Sequence, residues 1–250
     1  MPPALLILLG AVAGLIAGSF VGALVVRWPA GESVAHGRSR CDACERTLGV
    51  AELVPLASFL ALRGRCGSCR APIARVQPAA ELACAIVGAT AFAAASPVVA
   101  AAGALFGWTL VALALLDLRH FWLPDRLTLP LALLGPIIAA AGAGVQLRDS
   151  VIGAAAGYLS LALVAAAYRA VREREGMGGG DPKLFMAVGA WLGWTMLPPV
   201  LLVASLLGLS SVALRRARGD AMAGDARLPL GTLLALAAWP VWLLTTAGKL

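Results

Sequence analysis

The sequence has few charged residues, and this scarcity excludes an ordinary soluble domain. Only 13% of its 250 residues are charged, whereas 60% are hydrophobic. Soluble globular domains carry about 25% charged residues. The apolar residues occur in runs of roughly 17 to 22, about the length that crosses a bilayer core. Because lipid offers no partner for unpaired backbone groups, these runs predict an all-α polytopic membrane protein.

The sequence also lacks the basic stripe, interleaved with exposed aromatic side chains, that a nucleic-acid-binding surface needs. Its formal net charge is +7. The lysines and arginines that produce this charge lie in the segments between apolar runs, which is how membrane topology is encoded. We therefore expect contact with a lipid bilayer and no binding to nucleic acid.

The first apolar run, residues 1–26, lacks the positively charged start of a signal peptide. Its first basic residue, Arg27, follows the run. A first helix with positive charge on its C-terminal side places the N-terminus outside and Arg27 inside. We therefore predict that residues 1–26 form the first transmembrane helix.

The apolar runs predict about eight transmembrane helices. With the N-terminus outside, 18 of the 20 basic residues lie at or near the cytoplasmic face. Only Arg148 and Lys249 then lie outside, and a count with one span more or fewer would lose this agreement. Both termini are therefore expected outside. The predicted spans are residues 4–26, 79–95, 97–116, 127–146, 150–168, 183–197, 199–214 and 228–247, and the cytoplasmic segments are 27–78, 117–126, 169–182 and 215–227.

Prolines mark two of the predicted boundaries between spans. Pro97 separates the second span from the third, and Pro198 and Pro199 separate the sixth from the seventh. Proline at such points predicts a tight reversal outside the helices.

Residues 27–78 form the one predicted soluble segment that is long enough to fold by itself. It contains Cys41-Asp42-Ala43-Cys44 and Cys66-Gly67-Ser68-Cys69, two C-x2-C pairs separated by 21 residues. This spacing resembles a four-thiolate zinc site, whose ligation would supply the stability that the small core lacks. Four reduced thiols or disulfides are the alternatives, and a cytoplasmic location disfavours disulfides. Cys84, in the second span, is expected to be a small buried apolar residue.

Two aspartates lie where apolar segments meet the predicted cytoplasmic face. Asp117 ends the third segment, and Asp181 precedes the sixth, after Gly176 and the consecutive glycines Gly178, Gly179 and Gly180. An ionisable residue at a membrane segment is costly and marks a candidate functional site. The glycines would let a substrate strand approach the backbone beside Asp181. The alternative is a flexible turn before a helix that Asp181 caps, with the next residue, a proline, in the first helical position.

The predicted topology places Asp117 and Asp181 at the same depth and on the same face of the membrane. Peptide hydrolysis by two aspartates needs one ionised carboxylate to activate water and one protonated carboxyl to polarise the scissile carbonyl. Two nearby carboxylates cannot easily both ionise, so such a pair shares a proton. The pattern predicts an aspartic protease with Asp117 and Asp181 as the catalytic pair. Asp125, after a proline, is expected to cap a helix.

The residues around both aspartates resemble those of a known family. Gly178-Gly179-Gly180-Asp181 fits the G-x-G-D motif of intramembrane aspartic proteases, and residues 176–184 closely resemble type IV prepilin peptidases. Asp117 followed by Leu123-Pro124-Asp125 is similar to the first-aspartate motif of that family. The resemblance spans about residues 17–195. In the N-terminal half it includes Gly18-Ser19-Phe20, Arg38-Ser39-x-Cys41, Val54-Pro55, Ser58, Arg63-Gly64-Arg65-Cys66, Arg75, Pro78 and Glu81.

The resemblance implies a bifunctional enzyme of the bacterial inner membrane. Such peptidases serve type IV pilus and type II secretion machines, and they cut the basic leader from prepilins or pseudopilins at the cytoplasmic face. Many then methylate the new N-terminal amine with S-adenosylmethionine. The resemblance also assigns a structural zinc to the cysteine pairs. No G-x-G-x-x-G motif indicates a methyl-donor site, and structural roles are expected for Glu52 and Glu81.

Two other classes of function stay open at this point. A non-catalytic membrane scaffold of a pilus or secretion machine would use the cysteine segment for docking and the aspartates as helix caps. A transporter would place its acids near the middle of the membrane, which their position at one face opposes. We favour the peptidase, with 1–26 as the first transmembrane helix, 27–78 as a cytoplasmic four-cysteine domain and 79–250 as the transmembrane peptidase domain.

Overall fold

The computed structural model describes residues 1–34, 38–173, 176–219 and 228–248. Within these residues the protein is built from α-helices, and the extended pairing is limited to two isolated β-bridges near the cysteines. This confirms the predicted all-α fold class. The helices are α1 (Pro3–Arg27), α2 (Ala57–Ala61), α3 (Val76–Ala94), α4 (Pro97–His120), α5 (Asp125–Ala140), α6 (Leu147–Arg172), α7 (Gly180–Leu192), α8 (Leu197–Ala217) and α9 (Leu230–Thr246).

The eight predicted spans each correspond to one helix in the described part of the chain, and the short α2 is additional. Five helices, α1, α3, α4, α6 and α8, are long and apolar enough to cross a membrane. The others, α5, α7 and α9, have 16, 13 and 17 residues. The chain is therefore a multi-pass membrane protein. Residues 220–227, part of the last predicted cytoplasmic segment, lie outside the described residues.

The structure corrects the predicted end of the sixth segment. The segment was expected to run to residue 197, but α7 ends at Leu192 because Gly193 takes a φ of +80°. That backbone conformation favours glycine and stops the helix. Pro198 and Pro199 lie in the first turn of α8 and Pro97 is the first residue of α4, so the prediction that these prolines form the reversals outside the helices is wrong. Proline fits there because the first turn leaves its amides without helical partners.

The chain divides into two compact units, Met1–Leu115 and Leu116–Leu250. In the first unit α1 packs along α3 through a row of glycines at every fourth position of α1, here called the glycine seam: Gly10, Gly14, Gly18 and Gly22. A Cβ added at Gly14 would lie 2.1 Å from the carbonyl oxygen of Cys84. Small residues at such spacing let membrane helices approach until their backbones touch. Cys84 is fully buried, as expected.

We predict that Gly14→Val destabilises the first unit by about 1–3 kcal/mol, the usual cost of forcing extra volume into a packed contact. The measurement is the thermal unfolding temperature of the purified protein in detergent. Ala13→Val is the matched control, because Ala13 is the exposed neighbour of Gly14 on α1. Equal unfolding temperatures for the two variants would show that the glycine seam is not a tight contact.

In the second unit, α7 is the central helix. Ten of its 13 residues are buried, and α5, α6 and α9 pack against it. A Cβ at Gly153 of α6 would lie 2.2 Å from the carbonyl oxygen of Gly189 in α7, so these two backbones also touch. The Trp191 indole donates a 2.8 Å hydrogen bond to the carbonyl of Leu131 in α5. These contacts fix α7, and with it the position of Asp181 in its first turn.

Candidate active site and metal centre

The last turn of α4 and the first turns of α7 and α9 meet within the second unit, around Leu123. A Cβ at Gly180 would lie 2.6 Å from the Leu123 Cβ, and one at Gly231 would lie 2.8 Å from the Leu123 Cδ1. Glycine at the start of α7 and of α9 therefore lets both helices close on the segment that follows α4. This convergence brings together side chains that are far apart in the sequence.

Asp117 lies in the last turn of α4, and only 5% of its surface is exposed. Its Oδ2 accepts a 2.7 Å hydrogen bond from the Thr232 amide and a 3.1 Å bond from the Thr232 hydroxyl. Thr232 is in the first turn of α9, where backbone amides lack intrahelical partners and the helix dipole is positive. The buried carboxylate of Asp117 is thus held by the start of α9.

Asp181 lies in the first turn of α7 and is 7% exposed. Gly179 occupies the cap position of α7 with no side-chain cap, so the alternative in which Asp181 caps the helix is wrong. The carboxyl group of Asp181 is close enough to that of Asp117 to interact with it electrostatically. The backbone amide of Gly231 interacts with both carboxyl groups. The structure therefore brings the two predicted aspartates together at the start of α9.

The three glycines before Asp181 have different surroundings. Gly180 needs to be glycine because Leu123 occupies the space that a Cβ would take. A Cβ at Gly178 would make an ordinary 3.4 Å contact with the Asp181 Oδ2, and one at Gly179 would meet nothing within 4 Å. Packing therefore explains Gly180 but neither Gly178 nor Gly179. The missing side chains leave open backbone beside Asp181.

Asp125 does not cap α5, in contrast to the prediction. Pro124 occupies the cap position, and both carboxylate oxygens of Asp125 accept 2.7 Å hydrogen bonds from the Lys183 ammonium. This ion pair joins the start of α5 to α7 two residues beyond Asp181. Its side chains are partly exposed, so its contribution to stability is small, but it connects the two helix starts that flank the site.

Sequence reasoning missed Gly231 and Thr232. The sequence places them in the last predicted span, residues 228–247, with no functional role. The available signal was a Gly-Thr pair at the start of a helix that the topology places on the same face as both aspartates. Free amides at a helix start are suitable partners for a carboxylate, so this pair could have been proposed as the partner of an acid.

The four cysteines of the first unit form a cluster that could hold a metal ion. Their sulfur atoms, from Cys41, Cys44, Cys66 and Cys69, all lie within 4.8 Å of one another. The Sγ atoms of Cys41 and Cys69 are 3.8 Å apart, and all four thiols are free. Tetrahedral zinc with Zn–S bonds of about 2.3 Å requires sulfur atoms about 3.8 Å apart. The cluster therefore has the composition and the size of a closed four-thiolate site.

The two C-x2-C pairs repeat the same local structure 25 residues apart. An isolated antiparallel bridge closes each pair. The residue after each second cysteine has a positive φ, +55° at Glu45 and +61° at Arg70. The amides of Cys69 and Ser68 lower the pKa of the Cys66 thiol to about 6. Because the thiolate is the form that binds metals, this backbone arrangement suits ligation.

Comparison with known proteins gives matches to both parts of the chain. Residues 104–212 match the Type IV leader peptidase family, and residues 12–95 match the Bacterial Peptidase A24 N-terminal domain. A protein of Pseudomonas putida named "Prepilin leader peptidase/N-methyltransferase" is 39% identical over 96% of this chain and 91% of its own length. Proteins of the same name from Stutzerimonas stutzeri and Aeromonas hydrophila are 35% and 43% identical, over 95% and 81% of this chain and 90% and 70% of their own lengths.

No solved structure matches the chain. The family matches cover both the part that contains the cysteine cluster and the part that contains the end of α4 and all of α7. The relatives extend the agreement over most of both chains. The chain therefore belongs to the type IV leader peptidase family.

Proposed function

We propose that this protein removes the leader from type IV prepilins or pseudopilins and then N-methylates the new N-terminus. The observation that carries the proposal is that Asp117 and Asp181 are both buried and that their carboxyl groups interact electrostatically. Membership of the leader peptidase family supports the same function. Asp117 and Asp181 are the proposed catalytic pair.

The paired carboxyl groups supply the two functions that peptide hydrolysis needs. The ionised carboxylate takes a proton from water, and the water oxygen bonds to the scissile carbonyl carbon. The protonated carboxyl polarises the carbonyl oxygen. When the C–N bond breaks, the departing amine takes its proton from the pair, which returns to its starting state. Which aspartate holds the proton is a property of the pair and not of either residue.

The surroundings of Asp181 fit an extended substrate. The open backbone at Gly178 and Gly179 leaves room for a substrate strand next to the carboxyl pair. A prepilin has an apolar helix in the membrane and a basic leader in the cytoplasm, so its cleavage junction lies at the membrane surface. The distribution of basic residues supports an active site at the cytoplasmic face of the bacterial inner membrane, with both termini outside.

The non-catalytic scaffold explains less of the site. It requires the aspartates to be helix caps, and Asp117 does accept hydrogen bonds from the first turn of α9. Asp181 caps no helix in the described residues. A capping role also gives no reason to bury a second carboxyl group beside the first, because two nearby carboxylates repel each other. The peptidase is therefore favoured.

Two cofactors follow from the proposal. The four-cysteine cluster would hold a structural zinc ion, which stabilises the small segment around it. S-adenosylmethionine would be the methyl donor. When bound, it would supply the methyl group to the deprotonated N-terminal amine and leave as a neutral thioether.

The proposed function is tested by mass spectrometry of the N-terminus of a prepilin that is co-expressed with this protein in a host lacking its own leader peptidase. The expected product starts after the glycine that ends the leader and carries one methyl group. A cleaved product without the methyl group would support the proposed peptidase activity and refute the proposed methyltransferase activity. A prepilin that keeps its leader would support the scaffold.

We predict that Thr232→Val lowers the rate constant for leader cleavage by about tenfold. The substitution removes the hydroxyl that donates to Asp117 but keeps the backbone amide. A hydrogen bond to a charged group contributes roughly 1.5 kcal/mol or more, which corresponds to a rate factor of about ten. Thr232→Ser retains the hydroxyl and should restore most of the rate. Equal rates for the Val and Ser variants would exclude a role for the hydroxyl in positioning Asp117.

A further inference from the structure

Two close backbone contacts hold the body of α7, beyond the turn that carries Asp181. A Cβ at Gly157 of α6 would lie 2.4 Å from the carbonyl oxygen of Phe185. A Cβ at Gly135 of α5 would lie 2.7 Å from the carbonyl oxygen of Ala190. Because backbones that touch leave little room for movement, these contacts fix α7 from Phe185 onward. The first turn of α7, with Asp181, precedes them.

The segment that leads into this first turn is open. Gly178 and Gly179 precede α7, and a Cβ at Gly179 would meet nothing within 4 Å. Since glycine has a wide range of allowed backbone conformations, this segment does not by itself fix the direction of the turn. Leu123 contacts the turn at Gly180. The position of Asp181 therefore depends on contacts that side chains make with the first turn.

The ion pair between Lys183 and Asp125 is a contact of this kind. The Lys183 ammonium donates 2.7 Å hydrogen bonds to both carboxylate oxygens of Asp125. Lys183 lies two residues beyond Asp181, and Asp125 lies two residues beyond Leu123. The ion pair therefore lies next to the contact between Leu123 and Gly180, and it ties the first turn of α7 to the segment that follows α4.

The exposure of this ion pair argues against a mainly structural role. The side chains of Lys183 and Asp125 are 31% and 54% exposed, and exposed ion pairs contribute little to folding stability. Catalysis is more sensitive to position, since misplacing a reacting group by about 1 Å can lower a rate by about a hundredfold. The same ion pair can therefore contribute little to folding and much to the geometry of the carboxyl pair.

We propose that Lys183 and Asp125 are positioning residues for leader cleavage, which hold the first turn of α7 so that the Asp181 carboxyl group faces that of Asp117. The inference rests on the proposed function, because it concerns the rate of that reaction. The ion pair acts through Asp181 and contacts no reacting atom. The alternative is that Lys183 binds the substrate directly, in which case its loss would change substrate binding and not turnover.

The test is a double-mutant cycle on leader cleavage by the purified full-length protein in proteoliposomes, with kcat and KM measured separately. Lys183→Met and Asp125→Asn should each lower kcat by about tenfold, less than the effect of a full 1 Å displacement. KM should stay close to that of the wild type, because positioning acts in the transition state. The double variant should lose no more than either single variant, since the two side chains act as one unit.

Two further variants complete the comparison. Lys183→Arg keeps the positive charge and should retain most of the wild-type kcat. Arg126→Gln is the matched control, because Arg126 is an exposed cation next to Asp125 that makes no ion pair in the described part of the chain. It should leave kcat unchanged. All of these variants should keep the unfolding temperature of the wild type within a few degrees, as expected for an exposed ion pair.

Three results would overturn the inference. They are a normal kcat in both single variants, losses that multiply in the double variant, and a raised KM with an unchanged kcat, which would indicate direct substrate binding by Lys183. A large fall in unfolding temperature would also overturn it, because the ion pair would then be structural. Wild-type protein that cleaves prepilin while both single variants keep its kcat refutes this inference alone, whereas wild-type protein without cleavage refutes the proposed peptidase.

Discussion

Replacing either Asp117 or Asp181 with asparagine should reduce the rate of leader cleavage by a factor on the order of 10²–10⁴, or to background. Asparagine keeps the shape of the side chain but can neither take a proton from water nor share a proton with its neighbour. Both side chains are buried and interact with each other electrostatically, so no solvated acid can replace the missing one. The measurement is the initial rate of leader removal from purified prepilin in proteoliposomes.

Asp149→Asn is the matched control for these variants. Asp149 lies in the first turn of α6, is partly exposed and accepts a hydrogen bond from the Trp194 indole. The same chemical change there should leave the cleavage rate close to that of the wild type. All three variants should keep the unfolding temperature of the wild type within a few degrees. Cleavage at a normal rate by either Asp117→Asn or Asp181→Asn would rule out the paired-carboxylate mechanism.

Loss of the metal should have the second-largest effect, on the structure of the cysteine segment. We expect one zinc ion per chain in the reduced, purified protein and almost none in Cys66→Ser. A structural zinc site contributes about 10–16 kcal/mol of apparent binding free energy, which becomes folding free energy when no site exists without the metal. Metal analysis gives the stoichiometry, and limited proteolysis of residues 38–75 reports the loss of structure.

Cys84→Ser serves as the control for the metal prediction, because Cys84 is buried in α3 and is not part of the cluster. It should retain the full zinc content. The cysteine variants should mainly reduce the stability of the cysteine segment and methyl transfer. Reduced wild-type protein without any bound metal would refute the zinc assignment.

The fold class followed from the sequence because membrane helices have strong local signals. Each apolar run had to satisfy its own backbone groups in lipid, so the eight predicted segments correspond to eight helices. The cysteine cluster was also predictable, because a C-x2-C pair fixes two ligands within one turn. In the repeated bridges around Cys41 and Cys66, local sequence determines local geometry.

Contacts between distant segments could not be predicted in the same way. Thr232 lies 115 residues from Asp117, and its hydrogen bonds depend on how α9 packs in the second unit. The ion pair between Asp125 and Lys183 likewise joins two helices, whereas Asp125 alone suggested a local cap. Pro198 and Pro199 indicated the end of the sixth helix, whereas the positive φ of Gly193 ends it. Topology placed both aspartates on one face, but only packing brings their carboxyl groups together.

The central claim is that one chain carries both halves of the catalytic pair. It is tested most directly by reconstituting Asp117→Asn and Asp181→Asn proteins together in the same proteoliposomes and measuring leader cleavage by mass spectrometry. If Asp117 and Asp181 act together within one chain, the mixture should be no more active than the sum of the two variants alone. Recovery of cleavage toward the wild-type rate would mean that the two aspartates can act from different chains. That result would contradict a site formed entirely within the second unit of one chain.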